Sequence, residues 1–174
     1  GCKYYIGQHG GTYFVDIGSN FYNEIDTSDN FFSWGYKSSK KKIVPLFNFK
    51  TFKKREVDFN SKGNLTIMLK SLGHRAQPYE RHNENMKLID STFKIVKNLE
   101  NYRNNIFIKF HNSFLNSNLT GSSLLKKIEY FKTFDKSFKS NLDSRFKNKT
   151  KLFLFNYNST GIFENLSLNI PTVC

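Results

Sequence analysis

The chain has 174 residues, of which 38% are hydrophobic and 17% aromatic, and it carries 27 Lys and Arg against 14 Asp and Glu, a formal charge of +13. This length suits one ordinary domain with a sizeable core, and the apolar content excludes an intrinsically disordered chain. No segment reaches the roughly 20 apolar residues of a membrane span, and the two cysteines, Cys2 and Cys174, form neither a disulfide framework nor a metal cluster.

The amino-terminal third predicts short elements. Lys3–Gln8 has the pattern of a buried strand, His9–Gly18 that of a loop punctuated by glycine, Phe21–Ile25 that of a short helix, and Ser28–Trp34 that of a second strand. The lysine-rich run Lys37–Lys42 then precedes the apolar stretch Ile43–Phe49. Such a run is more typical of a linker face than of a binding groove, with acidic lipid as an alternative partner.

The middle of the chain predicts a strand, a loop and a long helix. Asn64–Lys70 has the apolar density of a central strand, and Ser71–Gln77 forms the loop at its carboxyl end. Pro78 then stands ahead of a helix whose apolar residues recur at spacings of three and four, which places them on one helical face. These residues are Met86, Ile89, Phe93, Val96 and Leu99.

The remaining pattern continues to alternate strands with helices. In chain order it predicts a strand at Ile106–Phe110, helices at Ser122–Phe131 and Ser137–Phe146, a strand at Lys151–Phe155, a helix at Ser159–Leu168 and a strand at Pro171–Cys174. Strands separated by ten or more helical residues indicate an α/β fold, with a Rossmann-like parallel sheet and helices on both faces. The four strands from Asn64 onward should lie adjacent in one sheet. No GxGxxG fingerprint is present, so a nicotinamide or flavin cofactor has no support.

The segment Ile6-Gly7-Gln8-His9-Gly10-Gly11 carries the first candidate chemistry. It places an imidazole at the carboxyl end of the first strand and follows it with glycines, whose backbone a ligand can approach closely. His9 is therefore a candidate catalytic base or phosphate contact, and a structural histidine in a turn is the alternative interpretation. Asp29 and Glu24 are a further candidate acid pair, but nothing in the sequence sets the distance between them.

Two further loops carry candidate anion ligands. Arg75 follows the strand at Asn64–Lys70 and has the planar guanidinium that binds phosphate through two parallel hydrogen bonds. Ser159 and Thr160 open the helix after the strand at Lys151–Phe155, where backbone N–H groups and the helix dipole favour a diphosphate. The alternatives are a solvated cation and an ordinary capped helix.

Together these segments resemble a family of bacterial transferases encoded in surface-carbohydrate loci. The resemblance rests on Ile6–Gly11, Ser28-Asp29 with Ser33-Trp34-Gly35, Pro45-Leu46 with Asn48-Phe49-Lys50, Tyr157-Asn158-Ser159-Thr160, Phe163-Glu164-Asn165-Leu166 and Asn169-Ile170-Pro171-Thr172. That family is distantly similar to CDP-glycerol glycerophosphotransferases and capsule Kdo transferases, which have two Rossmann-like domains facing each other, the GT-B arrangement.

The resemblance implies a division of the chain and several site residues. Residues 1–50 would form a cleft strand, a glycine-rich loop with Gly10 and Gly11, and an interdomain segment, while residues 51–174 would form a carboxyl-terminally truncated donor-binding domain. Lys109 and His111 would contact the donor phosphates, and Glu164 would receive the donor ribose hydroxyls. Compared with the family, the chain lacks an acceptor domain, so we expect a piece of a longer protein.

The implied activity is transfer of a sugar or alditol-phosphate group from a nucleotide-activated donor to a polysaccharide or lipid-linked acceptor, without metal or resident cofactor. The terminal cysteines indicate a reducing compartment, and the activity implies the cytoplasm, with contact at the inner membrane face. A nucleotide-sugar epimerase-like enzyme is one alternative. A basic module that binds RNA or acidic polymer is another, but the chain has 22 Lys and only 5 Arg and no RNA-reading aromatic pattern, so no nucleic acid is expected.

Overall fold

The computed structural model describes residues 1–11, 13–14, 21–39, 42–52, 56–70, 82–110, 122–134 and 149–174. In chain order its elements are β1 (Tyr5–Gly7), α1 (Phe21–Thr27), β2 (Asn30–Ser33), β3 (Ile43–Pro45), β4 (Asn64–Leu69), α2 (His82–Asn98), a 3-10 helix (Glu100–Asn105), β5 (Ile106–Phe110), α3 (Ser122–Lys132), β6 (Thr150–Phe155), α4 (Thr160–Leu166) and β7 (Thr172–Val173). The predicted loop at Ser71–Gln77 and helix at Ser137–Phe146 lie outside the described residues.

The chain forms two compact units. Unit 1 comprises Gly1–Glu56 and Asn158–Leu168, and unit 2 comprises Val57–Tyr157 and Asn169–Cys174. Both are built around a parallel sheet with helices beside it, so the predicted α/β, Rossmann-like class is confirmed. The assignment of residues 1–50 and 51–174 to an interdomain segment and a donor-binding domain stays a prediction.

Unit 1 contains a three-stranded parallel sheet in the order β1-β2-β3. Phe31 of the middle strand pairs with Ile6 on one side and Ile43 on the other. Phe31 is fully buried and forms a small core with Tyr13, Ile25 and Ile43. The sequence pattern did not predict β3, because three residues beside a lysine-rich run are too short to show an alternation of period two.

Unit 2 contains a four-stranded parallel sheet in the order β5-β4-β6-β7. Ile67 at the centre of β4 pairs with Ile108 of β5 and Leu154 of β6. Both faces of β4 are buried over Thr66–Leu69, which is typical of a central strand in a parallel sheet covered by helices. The four strands predicted to be adjacent are therefore adjacent, and no predicted bound differs from the observed one by more than one residue.

The core of unit 2 lies on one face of this sheet. It joins alternate residues of β4 and β5 to the apolar faces of α2 and α3, and its buried members include Ile67, Leu69, Ile89, Val96, Ile106, Ile108, Leu124, Ile128, Phe131 and Phe134. Met86, Phe93 and Leu99 pack against the same cluster. The helical face predicted for α2 is thus confirmed as a core face.

The opposite face of the same sheet carries buried polar groups. Thr66 and Thr150 share a hydrogen bond of 2.8 Å between their hydroxyls on adjacent strands. Lys109 alternates with the core-facing Ile106 and Ile108 on β5 and is 6% exposed. Burying an ammonium group is costly unless polar or charged groups surround it.

Candidate functional site

The loop after β1 is held by a buried glutamine. The Gln8 amide donates to the Gly10 carbonyl over 2.8 Å, and its oxygen accepts the Trp34 N–H over 2.8 Å. The Gln8 backbone N–H continues the sheet by donating to the Phe32 carbonyl. Because both ends of this one side chain are engaged, the turn that carries His9 is fixed against the carboxyl end of β2.

His9 forms a pair with Glu24 from α1. The distance from His9 Nε2 to Glu24 Oε1 is 3.3 Å, and the second carboxylate oxygen accepts a hydrogen bond of 2.6 Å from the Tyr13 hydroxyl. The His9 and Tyr13 rings meet edge to face with centroids 5.2 Å apart. One carboxylate therefore bridges an exposed imidazole and a buried phenol.

The contacts set the charge of this group. The hydrogen bond from Tyr13 lowers the pKa of Glu24 most; burial opposes this, and the hydrogen bond and charge of His9 add smaller lowering effects. Burial first, and then the bond to Glu24, raises the pKa of Tyr13 well above its usual value. Glu24 is consequently an anion and Tyr13 a neutral donor around neutral pH.

This geometry selects one tautomer of His9. An ionised carboxylate can only accept hydrogen bonds, so Nε2 of His9 must carry the proton that it shares with Glu24. In the neutral ring Nδ1 then carries the lone pair, and Nε2 is the nitrogen that Glu24 holds. A histidine oriented by a carboxylate is the arrangement of a general base.

The loop contains one backbone conformation that a bulky residue rarely adopts. Phe14 has φ of 67°, in the left-handed region. Its ring stacks on Tyr36 with centroids 4.0 Å apart and meets Phe31 of the core edge to face. Such a conformation persists only where the surroundings enforce it, and it is concentrated at functional sites.

The opening of α4 packs on the same loop within unit 1. Gly11 N–H donates to Thr160 Oγ1 over 3.1 Å, and Ser159 caps the helix by accepting the Gly161 N–H over 3.2 Å. A Cβ atom on the buried Gly11 would lie 2.9 Å from the ring of Phe163 and 3.5 Å from Thr160 Cα. Glycine is therefore required here by the close approach of the helix.

Glu164 lies one turn further along α4 and pairs with a lysine from the first segment. Lys50 Nζ is 3.5 Å from Glu164 Oε1, with the carboxylate the less exposed partner at 25%. Lys50 belongs to a turn that Asn48 closes by accepting the Lys50 N–H over 3.0 Å. The pair puts a hydrogen-bond acceptor and a cation side by side on one surface.

A pocket of about 490 Å³ opens beside this surface. Its lining combines an aromatic wall with the ends of β1 and β2 and two basic side chains: Tyr5, Gly7, Gln8, His9, Phe32, Phe49 and Lys50. Tyr5 and Phe32 stack with centroids 5.8 Å apart and an interplanar angle of 14°. A mainly apolar concavity with a few polar groups at one side is the usual form of a small-molecule site.

Comparison with protein-family models matches the chain over residues 1–174 to the family described as LIC12162 family transferase. The chain belongs to this transferase family. Membership of the LIC12162 family makes the chain an enzyme of the group-transfer class. This favours the predicted transferase over the alternative of a non-enzymatic basic module. No curated protein and no solved structure shows significant similarity to the chain.

The structure of this LIC12162 family member brings a subset of the predicted site residues together. His9, Gly10, Gly11, Ser159, Thr160 and Glu164 all belong to unit 1. Lys109 lies buried in unit 2, and Arg75 and His111 lie outside the described residues. The roles assigned to all nine residues stay predictions.

Sequence reasoning missed three members of the unit 1 site. Glu24 was considered only as a partner of Asp29, but Asp29 instead accepts the Tyr4 N–H over 2.7 Å. Tyr13 and Lys50 were not singled out. The one available signal was the position of Glu24 on a helix that follows the glycine-rich loop, which does not specify the pairing with His9.

Among the described ranges, no group of three or more His, Cys, Asp and Glu residues is placed to hold a metal ion. No helix in those ranges has the length and apolar character needed to cross a bilayer. Metal-independent transfer and the absence of a resident cofactor stay predictions.

Proposed function

We propose that this LIC12162 family member transfers a sugar or alditol-phosphate group from a nucleotide-activated donor to an acceptor hydroxyl, with His9 as the general base. The observation that carries the proposal is the His9–Glu24 pair at the wall of the pocket, 3.3 Å between Nε2 and Oε1. Family membership supplies the reaction class, and the pair supplies the group that such a reaction needs.

The proposed step balances as a single displacement. The acceptor oxygen attacks the transferred group while Nδ1 of His9 takes its proton, and the bond between that group and the leaving nucleotide phosphate breaks. Glu24 holds the imidazole and stabilises the positive charge that it gains. The stabilisation that Glu24 provides is largest in the transition state, where proton transfer is under way.

We assign the donor to the part of the unit 1 site that contains Glu164 and Lys50. Glu164 would accept hydrogen bonds from ribose hydroxyls, and the neighbouring Lys50 would offset negative charge on the leaving phosphate. Ser159 and Thr160 use their hydroxyls in the helix cap and the contact to Gly11, so their proposed contribution is to shape the donor site together with Gly10 and Gly11. Arg75, Lys109 and His111 remain the proposed phosphate contacts.

The finer features of the reaction follow from the resemblance and not from the comparisons. They are a GT-B arrangement, a surface-polysaccharide or lipid-linked acceptor, the absence of a resident cofactor, and a cytoplasmic location at the inner membrane face. The Gly11–Thr160 hydrogen bond gives two motifs of the resemblance a common place in unit 1, and the reaction features themselves stay proposals.

A nucleotide titration followed by a transfer assay tests the proposal. Calorimetry with CMP, CDP, UDP and GDP should find one nucleotide that binds, and His9→Ala should bind it as well as the parent chain. Release of that nucleotide from the activated donor should require an acceptor. Conversion of the donor sugar without acceptor would favour the epimerase-like alternative, and binding of none of the nucleotides would overturn the proposal.

A further inference from the structure

A group of exposed phenylalanines follows β3. Phe47 contacts both Phe49 and Phe52, with ring centroids 5.0 Å apart in each pair. The three side chains, called here the phenylalanine cluster, are 46%, 42% and 58% exposed, and the neighbouring Leu46 is 40% exposed. A contiguous apolar patch of this kind is unfavourable in water and marks an interaction surface.

The backbone holds the cluster in place. Asn48 accepts the Lys50 N–H at its side chain over 3.0 Å and the Thr51 N–H at its carbonyl over 3.1 Å. The Ser167 hydroxyl, from the end of α4, donates to Thr51 Oγ1 over 2.9 Å. Because the turn is anchored at both places, the rings are presented without a further loss of backbone entropy on binding.

Positive charge adjoins the aromatic surface. Lys50 lies within the same turn with its side chain 46% exposed. The sequence continues with Lys53, Lys54 and Arg55, and the whole chain carries a net charge of +13. Aromatic rings beside the partly exposed Lys50 match the interface of a bilayer, where the rings reach the acyl boundary and the cation meets anionic headgroups.

We propose that the phenylalanine cluster is a membrane-docking surface that binds bilayers containing anionic lipid. Phe49 belongs both to the cluster and to the pocket lined by His9 and Lys50. A lipid-linked acceptor held in the bilayer would therefore present its headgroup at the pocket. This last consequence rests on the proposed function, whereas the binding of vesicles does not.

Vesicle sedimentation tests the docking surface. The parent chain should bind vesicles of phosphatidylcholine with about 30% phosphatidylglycerol more strongly than pure phosphatidylcholine. The double variant Phe47→Ser/Phe52→Ser, which leaves Phe49 and the pocket in place, should weaken that binding about tenfold or more. Phe47→Trp/Phe52→Trp should retain it, because tryptophan also favours the bilayer interface.

A matched control removes exposed aromatics elsewhere. Phe59 and Tyr102 are 57% and 64% exposed, so Phe59→Ser/Tyr102→Ser removes comparable apolar surface. Its vesicle binding should equal that of the parent chain. Equal weakening in this control, no binding by the parent chain, or equal affinity for both vesicle types would overturn the proposal.

Self-association and nucleotide binding are measured on the same proteins. If the parent chain self-associates without vesicles and Phe47→Ser/Phe52→Ser abolishes this, the cluster is a contact between copies and the docking proposal fails. Nucleotide titration separates membrane docking from the proposed function. Vesicle binding without nucleotide binding would overturn the proposed function alone, and nucleotide binding without vesicle binding would overturn the docking surface alone.

Discussion

Gly11 donates its backbone N–H to the Thr160 hydroxyl over 3.1 Å, although the two residues are 149 positions apart in the chain. The bond connects the glycine-rich loop after β1 to the opening of α4. The Thr160 hydroxyl thereby satisfies the N–H of the buried Gly11, which links the two motifs in the folded chain.

Replacing Gly11 by Ala should destabilise the fold by about 1 to 3 kcal/mol, because the added methyl group overlaps the Phe163 ring. The matched control is Gly10→Ala, whose Cβ would meet Tyr13 at 3.8 Å, an ordinary contact. Denaturant unfolding measures both variants. Equal stability of the two would contradict the close approach of α4 to the loop.

Thr160→Val should cost about 1 to 3 kcal/mol of stability, because it leaves the buried Gly11 N–H without its acceptor at nearly constant side-chain volume. Thr160→Ser keeps the hydroxyl and should recover most of the loss. Thermal unfolding of the two variants side by side checks this. A serine variant as unstable as the valine variant would contradict the assignment of this stability to the Thr160 hydroxyl.

His9→Ala should lower the turnover number by about 10² to 10⁴, the usual contribution of a general base, while the Kd of the donor nucleotide stays unchanged. Glu24→Gln should lower turnover less, because it keeps a side chain of the same shape beside the imidazole. Steady-state kinetics and nucleotide titration are compared for each variant. Parallel loss of turnover and nucleotide binding in His9→Ala would make His9 a phosphate contact.

The Glu24–Tyr13 hydrogen bond predicts how stability depends on pH. The folded pKa of Glu24 lies below its usual 4.5, so its contribution is complete above that value and is lost as pH falls through the folded pKa. Tyr13 has a folded pKa above its usual 10.0, so its contribution is complete below pH 10 and declines at higher pH.

The free energy of unfolding, plotted against pH, should vary less than in the parent chain for Glu24→Gln at acid pH and for Tyr13→Phe at alkaline pH. Their difference from the parent isolates these groups from the other titrating residues. Curves that run parallel to the parent at both ends would contradict the assigned pKa directions.

Glu164→Ala should weaken donor binding by about 1 to 3 kcal/mol if the carboxylate accepts ribose hydroxyls. Lys50→Met provides the comparison, because the Lys50–Glu164 pair is partly exposed to solvent and loss of the pair itself should cost about 1 kcal/mol of stability. Calorimetric titration and unfolding of both variants separate the effects. A Glu164→Ala protein with unchanged nucleotide affinity would exclude the ribose role.

The sequence predicted those helices and strands whose apolar pattern extends over enough residues to be distinctive. The apolar positions from Met86 to Leu99 recur over several turns, and they lie on the core face of α2. The predicted strand Ile106–Phe110 matches β5 at both ends, because an apolar run bounded by polar residues leaves little choice of where the strand begins and ends. The four parallel strands of unit 2 follow from this alternation.

The sequence could not predict features that depend on contacts between distant segments. β3 is a strand only because Phe31 and its neighbours offer a sheet edge to Ile43–Pro45. The partner of His9 is set by how α1 folds back over the loop, and neither Glu24 nor Tyr13 stands out by spacing. Lys50 reaches Glu164 through a turn that Asn48 closes, which no periodicity encodes.

The chain leaves unit 1 after Glu56, returns at Asn158 and leaves again after Leu168. During synthesis, the loop that carries His9 therefore emerges long before the helix that supplies its hydroxyl acceptor. The strands β4, β5 and β6 are made in the interval, so three of the four strands of the unit 2 sheet can pair while Gly11 still lacks Thr160. Since closing so long a loop is slow, we expect the contact between the histidine loop and α4 to form only after β4, β5 and β6 have paired.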